Sequence, residues 1–551
     1  MSKRIHNPRA ASRVEFPLPP GHSQPHVPET NKLEQSQSSS PSRIRWLPGV
    51  LMVLLAVVVI IWVRFQDDWP FQKRNLTSYV IMIVASIGLL LWWTFLSRAN
   101  GRLRLSVTFG LVALGMICVA LFRLKGMTGD LFPIIEFRWA GHSTPSALPS
   151  QVATASIPTH QFSNAPTFPQ FLGPNRNGVI LGQRLDTNWV ANPPEILWRQ
   201  KVGAAWSGFA IVGNLALTQE QRGAEECVVA YELATGRQLW LHADQAHYNT
   251  TIAGEGPRAT PTVVSNRVYT FGATGILNCL DLATGNVLWS RDLLKHSGGE
   301  LPQWGCASSP LVANDLVIVH GGERTSRSLY AFRVADGTPA WSAGQASPSY
   351  ASPSLFTLAD KPQLLAFNHR LITAHDPVSG ALLWQQPWGN GNVVCASPVL
   401  VSSNRVLFSS GYGVGAELLE ITRATNGDFS EQRVWKSLRM KSKFSHMFER
   451  DGFLYGLDDG IFACVDLRDG SQRWKEGRYG HGQGLVVAES YLLMTESGEL
   501  VLLQPTSASP NETARFSVFS AKTWNPIALS GELLLVRNDT EAACLRLKLS
   551  P

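Results

Sequence analysis

Apolar residues follow two different patterns along this chain. Between residues 46 and 122 they form three nearly unbroken runs, whereas from about residue 168 onward they alternate with polar residues in short segments bounded by glycine and proline. Unbroken apolar runs of about 20 residues are typical of helices that cross a bilayer, and two-residue alternation is typical of strands with one buried face. The chain is therefore predicted to join a helical membrane part to an all-β domain.

The three runs carry no Asp, Glu, Lys or Arg, and they are Trp46–Val63, Leu76–Leu96 and Leu105–Phe122. Buried core helices of this length rarely stay free of charge, and a cleaved signal peptide would not begin some 45 residues in and be followed by two more runs. We predict three transmembrane helices within residues 43–125, at about 46–63, 76–96 and 105–122.

A ten-residue unit organises the rest of the chain. Leu280–Trp289 contains a half-buried strand, an Ala-Thr-Gly turn and a second strand that ends on tryptophan, and Tyr231–Trp240 nearly repeats it. Looser copies end at Trp341, Trp384 and Trp474, and a copy with a stretched turn ends at Trp435. Strand and turn signals that repeat every 40 to 50 residues or so are typical of four-stranded propeller blades.

Counting the anchors predicts an all-β, eight-bladed propeller over residues 168–551. The anchors, interpreted as packing between blades and not as cofactor ligands, are Trp198, Trp240, Trp289, Trp341, Trp384, Trp435 and Trp474, with Phe516 in the remaining blade. Trp198 comes before any complete blade, and the last strands, Gly531–Val536 and Ala542–Leu549, have no anchor after them. The ring is therefore expected to close by pairing the strand of Trp198 with the C-terminal strands.

Charge is distributed unevenly between the two parts. The net charge is +7, yet residues 1–163 hold 16 Lys and Arg against 7 Asp and Glu, and the remainder holds 32 against 34. A near-neutral folded domain has no basic face for nucleic acid, so a nucleic-acid partner is not expected. The basic excess instead suggests a charge bias that orients membrane helices.

The basic residues beside the apolar runs predict the orientation. The arginines before the first run and between the second and third runs are expected on the cytoplasmic side, and they are Arg43, Arg45, Arg98, Arg102 and Arg104. Three spans then place the propeller on the opposite side. The expected location is the inner membrane of a bacterium, with a cytoplasmic N-terminus and a periplasmic propeller.

Two segments flank the membrane part. Residues 1–42, rich in Pro, Ser, Gln and His, are predicted to be a disordered cytoplasmic arm, since they offer little apolar surface to bury. Residues 126–167 are predicted to be a juxtamembrane segment and linker. Within it, the amphipathic Asp130–Trp139 either lies on the bilayer surface or docks on the propeller.

The motif Asp-x-x-[Thr/Asp]-Gly-x-x-x-Trp, clearest at Asp281–Trp289 and Asp466–Trp474, resembles the tryptophan-docking repeat of eight-bladed propellers of the pyrroloquinoline-quinone (PQQ) type. The resemblance extends to quinoprotein alcohol dehydrogenases and to the non-catalytic propeller of the outer-membrane protein assembly complex. The segments Phe168–Gly178 and Gly256–Pro261 further resemble membrane-tethered bacterial members with PQQ-binding-like propellers. One fold hosts many activities, so the resemblance predicts the fold more strongly than the function.

The resembled dehydrogenases use an adjacent cysteine pair, a tryptophan beneath the quinone, and carboxylates that hold calcium. This sequence has seven separate cysteines, no Cys-Cys pair and no Asp-x-Asp, so we expect no catalytic residue of this type, no metal site and no cofactor. Buried thiols on strands are expected instead of disulfides. The glycine-rich stretches Gly411–Gly415 and Gly480–Gly484, and the acidic Asp458–Gly460, are interpreted as turns between strands.

Six aromatic, basic or polar residues stand near the inner-strand register, where the funnel mouth of a propeller lies. We predict that they bind a ligand or partner, and they are Trp206, Arg258, Trp304, Tyr350, Lys443 and His481. Such a set suits an anionic or planar ligand or a partner's peptide. The same residues could simply line a water-filled channel, and the sequence leaves both interpretations open.

Three functions remain in view. The leading hypothesis is a membrane-anchored periplasmic propeller that binds protein partners of the cell envelope as a scaffold, with the lipid bilayer contacted through its three spans. The alternative is a PQQ-dependent quinoprotein oxidoreductase coupled to the membrane. The third hypothesis, a sensor, is less well supported because residues 1–45 contain no cytoplasmic output domain.

Overall fold

The computed structural model describes residues 44–66, 69–139, 167–250, 253–345 and 347–550. The predicted arm and most of the predicted linker lie outside these residues. The described chain begins with three helices and a hairpin, followed by a ring of eight β-sheets.

All three helices are long and apolar enough to cross a membrane. They span Trp46–Arg64, Phe71–Leu91 (continued by a π-helical turn, Trp92–Leu96) and Gly101–Leu121. The second begins five residues before its apolar run, because its first turn is polar but still helical. Most apolar side chains on the helices stay uncovered by protein, as with Phe109, which is 71% exposed. Such surfaces fit a lipid environment.

The helices form a bundle with two distinct ends. The Arg45 backbone N–H donates to the Ser97 carbonyl oxygen (2.9 Å), which places the start of the first helix beside the end of the second. Arg45 therefore lies at the same end of the bundle as the turn between the second and third helices. The connection from the first to the second helix lies at the other end, together with the end of the third helix.

A two-stranded hairpin follows the third helix at that other end. Strands Phe122–Met127 and Pro133–Phe137 pair antiparallel, and residues 128–132 connect them. Phe122, expected at the end of the third span, is instead the first residue of the hairpin. The sequence left open whether Asp130–Trp139 lies on the bilayer surface or docks on the propeller. In the structure its first residue, Asp130, contacts the propeller, so this segment docks there. We call residues 128–131 the hairpin tip.

The predicted eight-bladed propeller is confirmed. Each blade is an antiparallel sheet whose strands follow one another in sequence, except that blade 8 takes its outer strand from the N-terminal side. The strands of blades 1 to 4 are Ala210–Val212, Leu215–Arg222, Glu225–Glu232 and Gln238–Asp244; Thr262–Val264, Arg267–Phe271, Ile276–Asp281 and Val287–Asp292; Leu311–Ala313, Leu316–His320, Leu329–Arg333 and Pro339–Ala343; Ser354–Leu358, Lys361–Phe367, Leu371–His375 and Leu382–Pro387. Those of blades 5 to 8 are Val399–Ser402, Arg405–Ser410, Gly415–Arg423 and Phe429–Ser437; Phe448–Arg450, Phe453–Asp458, Ile461–Asp466 and Gln472–Arg478; Gln483–Val487, Ser490–Met494, Glu499–Leu503 and Glu512–Ser517; Ala528–Ser530, Leu533–Arg537, Glu541–Arg546 and Glu195–Lys201.

Ring closure follows the prediction. Glu195–Lys201 pairs with Glu541–Arg546, with Trp198 opposite Cys544. Two short strands that were not predicted add to the ring: Thr167–Phe168 extends blade 1, and Val179–Ile180 runs parallel to the inner strand of blade 7. The N-terminal segment of the propeller thus joins three blades and leaves no open gap in the ring. The remaining elements are the short helix Leu293–Ser297 and the pair Asn249–Thr250 and Gly254–Glu255.

All eight predicted anchors lie on the outer strands of their blades. Five indoles donate a hydrogen bond of 2.8–3.0 Å to a carbonyl of the next blade, namely those of Trp198, Trp240, Trp289, Trp435 and Trp474. For four of these five, all but Trp474, the repeat glycine of the next blade lies against the indole face; a Cβ at Gly285 would come within 2.5 Å of Trp240. The repeat therefore encodes contacts between blades.

The stretched turn changes this contact at one joint. Gly427, at the end of that turn, has no atom within 4 Å of where its Cβ would lie, so it does not pack on the preceding anchor. Trp384 instead donates to Gln363 Oε1 of its own blade (2.6 Å). Trp341 keeps the glycine contact, through Gly380.

All seven cysteines are free thiols, and five are fully buried. The exceptions are Cys118, exposed on the third helix, and Cys395, partly buried. Four of the five buried cysteines lie on strands, as predicted. The prediction is wrong for Cys306, which lies in the loop before blade 3.

Candidate functional site

The loops that precede the inner strands meet at one end of the ring and enclose a cavity of about 580 Å³. We call it the mouth cavity. Five of the six predicted site residues line it, namely Trp206, Arg258, Trp304, Tyr350 and Lys443. The sixth, His481, lies directly behind, with Nε2 at 2.8 Å from Lys443 Nζ. The fold therefore brings these six residues, which lie up to 275 positions apart in the chain, to one end of the ring, as their positions before the inner strands predicted.

Aromatic rings form much of the cavity wall. Trp304 and Tyr350 pack with ring centroids 5.4 Å apart, on one side. On another side, Trp524 lies 5.1 Å from Trp206 and 5.2 Å from Phe444. Ring pairs at these distances stabilise each other and present flat apolar faces to the cavity.

Arg258 contributes a positive charge to this wall. Its guanidinium donates to the carbonyl oxygens of Gly254 (3.0 Å) and Gly256 and lies 4.4 Å from the centre of the Tyr248 ring. In the described chain, no carboxylate lies within ion-pair distance of it. Burial lowers the pKa of Arg258 to about 10, so the group remains charged at neutral pH. An uncompensated guanidinium beside aromatic faces attracts an anion.

Lys443 lies deeper and is almost fully buried. Its ammonium donates to the Gly129 carbonyl oxygen (2.9 Å) and lies 3.6 Å from Asp130 Oδ1. Burial lowers the pKa of Lys443, while the charges of Asp459 and Asp130 oppose that shift.

The hairpin tip enters the mouth beside Lys443. Asp130 accepts from Arg478 Nη1 (2.9 Å) and lies 3.3 Å from His481 Nε2. Burial on its own raises the pKa of Asp130, but the hydrogen bond and charge of His481, together with the charges of Lys443 and Arg478, hold it below its ordinary value. The carboxylate therefore stays ionised at neutral pH.

The second long helix completes the rim. Gln72 Nε2 donates to the Gly129 carbonyl oxygen (2.7 Å), and Asn75 Nδ2 donates to that of Asp130 (2.6 Å). Leu76 and Lys73 also line the cavity. The mouth thus opens toward the end of the helix bundle that lies away from Arg45, and the hairpin tip sits between the two parts.

Sequence reasoning missed several residues of the mouth. Tyr412 lies in the turn Gly411–Gly415, which is indeed a turn but also supplies a ring to the cavity. Trp524 stands four residues before the inner strand Ala528–Ser530, as Trp206 does before Ala210–Val212, so the pattern could have found it. Lys522 Nζ lies 4.0 Å from the Trp524 ring centre, and burial lowers the pKa of Lys522 to about 8. No local sequence pattern predicts that the hairpin tip enters the mouth, since Asp130 and Arg478 are 348 positions apart in the chain.

The acidic pair that the sequence singled out forms ion pairs within the propeller. Within the ranges that the structure describes, no group of three or more His, Cys, Asp and Glu side chains is arranged to hold a metal ion. The acidic pair Asp458 and Asp459 lies at a hairpin turn, as predicted, and Asp458 forms ion pairs with Lys441 (2.8 Å) and Lys475 (2.9 Å). Two lysines thus offset the charge of Asp458, and Asp459 lies 3.9 Å from Lys441 Nζ.

Comparison with known proteins decides the family. A family model of PQQ-repeat propellers, described as "Outer membrane protein assembly factor BamB", matches residues 188–301 and 224–476. The chain belongs to this family. The matched region runs from the closing strand through blade 6.

Two relatives carry the same description. The outer membrane protein assembly factor BamB of Shewanella oneidensis is 29% identical over 310 residues, which is 51% of this chain and 70% of that protein. The BamB of Moranella endobia is 22% identical over 309 residues, or 52% of this chain and 73% of that protein. Among solved structures, the quinohemoprotein alcohol dehydrogenase of Comamonas testosteroni is similar, with a TM-score of 0.51 and 12% identity over 73% of this chain and 83% of that one. The last likeness concerns the fold alone.

Proposed function

We propose that this protein is a membrane-anchored periplasmic scaffold that binds a protein partner of the bacterial cell envelope through the mouth of its propeller. The observation that carries the proposal is the mouth cavity of a BamB-family propeller, where aromatic faces surround Arg258, a guanidinium without a carboxylate partner. Aromatic and arginine side chains in a partly enclosed site are the groups that contribute most to protein–protein binding. The proposed activity needs no cofactor.

The helix bundle supports the proposed location. Of the arginines expected to face the cytoplasm, Arg45, Arg98, Arg102 and Arg104 lie at one end of the bundle, and the propeller contacts the other. If the helices span the inner membrane with Arg45 in the cytoplasm, the mouth lies at the periplasmic surface of that membrane. The name of the relatives, assembly factors for outer membrane proteins, suggests a partner of the same compartment.

Site-specific photocrosslinking in intact cells tests the proposal. A photoreactive phenylalanine analogue at Trp304 should give a discrete protein adduct. The same analogue at Val378, which is 62% exposed on the opposite face of the ring, is the matched control and should not give that adduct. Changing Arg258→Gln and replacing Tyr350 by Ala should reduce the adduct at Trp304 at least tenfold. An adduct that is equal at both positions, or that survives both changes, would remove the mouth as the binding site.

The quinoprotein alternative has its own measurement. Purified full chain is incubated with PQQ and calcium, and bound quinone and dye reduction are measured. The scaffold proposal predicts no stoichiometric retention of quinone and no dye reduction. Retention at one quinone per chain together with dye reduction would favour the oxidoreductase.

A further inference from the structure

The hairpin tip is held in the mouth by a set of directed polar contacts. The backbone N–H of Gly129 donates to Glu496 Oε1 (2.7 Å), and its carbonyl oxygen accepts from Lys443 Nζ (2.9 Å). Lys522 Nζ donates to the Met127 carbonyl oxygen (3.2 Å). Both backbone groups of one glycine are thus satisfied by side chains of the propeller, which is how a receptor binds a peptide.

The site accepts only glycine at position 129. A Cβ on Gly129 would lie 1.9 Å from the His481 ring, far inside van der Waals contact, and the ring is fully buried. The histidine cannot retreat easily, because its Nε2 also contacts Lys443 (2.8 Å) and its backbone N–H donates to Glu496 Oε2 (3.0 Å). The close approach of the hairpin tip to His481 therefore excludes every side chain at position 129.

The site also selects a carboxylate at the next position. Asp130 faces three basic groups, Arg478 at 2.9 Å, His481 at 3.3 Å and Lys443 at 3.6 Å. Lys443 is almost fully buried, so an occupant without negative charge would remove one of the charges that offset its ammonium. An amide in place of the carboxylate keeps the shape but loses this charge.

We infer that the mouth is a recognition site for a tight turn with the sequence Gly-Asp, and that residues 128–131 of the chain are its resident occupant. The inference rests on the proposed function and deepens it. The partner segment carries a glycine followed by an acidic residue and enters by displacing the hairpin tip. Its flanking residues then contact the aromatic wall of the mouth cavity, which remains open beside the tip with a volume of about 580 Å³.

The test uses the full chain in lipid nanodiscs and a labelled peptide of residues 126–133, measured by fluorescence anisotropy. Gly129→Ala in the chain prevents the tip from seating, so it should bind the peptide at least tenfold more tightly than the unchanged chain. Asp130→Asn leaves the backbone unaltered and should also bind the peptide more tightly than the unchanged chain. It keeps the test valid if Gly129→Ala does not fold. Glu136→Gln removes the other carboxylate of the hairpin, which pairs with Arg123 and Lys125, and should bind the peptide as the unchanged chain does.

Two further results decide the inference. A peptide with asparagine in place of its aspartate should bind the Gly129→Ala chain at least tenfold more weakly, and Lys443→Met should abolish binding of the original peptide. Equal peptide binding by all chains, or equal binding of the two peptides, would overturn the inference. The cellular adduct at Trp304 is a separate readout: if the peptide binds as expected while that adduct is absent, the recognition site stands and the proposed function fails.

Discussion

Single residues set the joints between blades, and the repeat glycines show this most clearly. Gly285 has φ = 73° and lies against the Trp240 indole, where a Cβ would be 2.5 Å from the ring. Gly427 has φ = 92° but has open space around the equivalent position. Both glycines have a positive φ, which would strain any other residue, but only Gly285 packs closely against an indole, so the pair separates the two effects.

We expect Gly285→Ala to lower the free energy of unfolding by about 2–4 kcal/mol, since backbone strain and overpacking against the indole add. Gly427→Ala should cost only about 1–2 kcal/mol, from backbone strain alone. Denaturant unfolding followed by near-ultraviolet circular dichroism measures both. Equal losses would mean that the glycine is required for its turn and not for docking on the tryptophan.

Position also explains which mouth residues were predictable. Trp206, Arg258 and Trp304 come just before inner strands, and the strand order alone brings such positions to one end of the ring. No such rule predicts the position of Asp130, because that position depends on how a hairpin outside the repeats docks on the propeller. Phe444 follows Lys443 and stands four residues before the inner strand Phe448–Arg450, so the same rule could have found it.

At the scale of elements, the outer strand of blade 8 closes the ring. Glu195–Lys201 comes from the N-terminal side of the propeller and pairs along its length with Glu541–Arg546. This closure was predictable because the anchors count eight while the strands at the two ends are each incomplete. The two short added strands were not, since two-residue strands are too brief to leave a periodic pattern.

Deleting residues 195–201 should leave blade 8 with three strands and an exposed edge. We expect loss of cooperative unfolding and concentration-dependent association, because an unpaired edge pairs with other chains. Size-exclusion chromatography and thermal unfolding of the purified chain check this. A monomeric product with an unchanged unfolding transition would show that the ring does not depend on this strand.

For the whole molecule, two buried histidines make the propeller sensitive to acid. Burial lowers the pKa of His320 and of His446 from 6.5 to about 4. Between these values the unfolded chain binds a proton at each histidine and the folded chain does not, so stability is full above about pH 6.5 and falls as the pH drops toward 4. The loss is at most roughly 3 kcal/mol per histidine.

Unfolding measured between pH 7 and pH 4.5 should therefore show falling stability. His320→Gln should flatten that slope in part, because the pKa values of His446 and His375 are also lowered by burial. His247, whose side chain is 45% exposed, supplies the control, and His247→Gln should change the slope less than His320→Gln does. A slope that is identical in all three proteins would assign the acid sensitivity to other groups.

The contact between the helices and the propeller determines which end of the ring faces the membrane. Cryo-electron microscopy of the full chain in lipid nanodiscs tests this most directly, because it shows the ring, the helices and the hairpin together. The expected map has three helices within the lipid, the mouth of the eight-bladed ring turned toward them, and the hairpin tip seated between Lys443 and Arg478. A ring whose opposite face is turned to the lipid, or a mouth without the tip, would contradict the account.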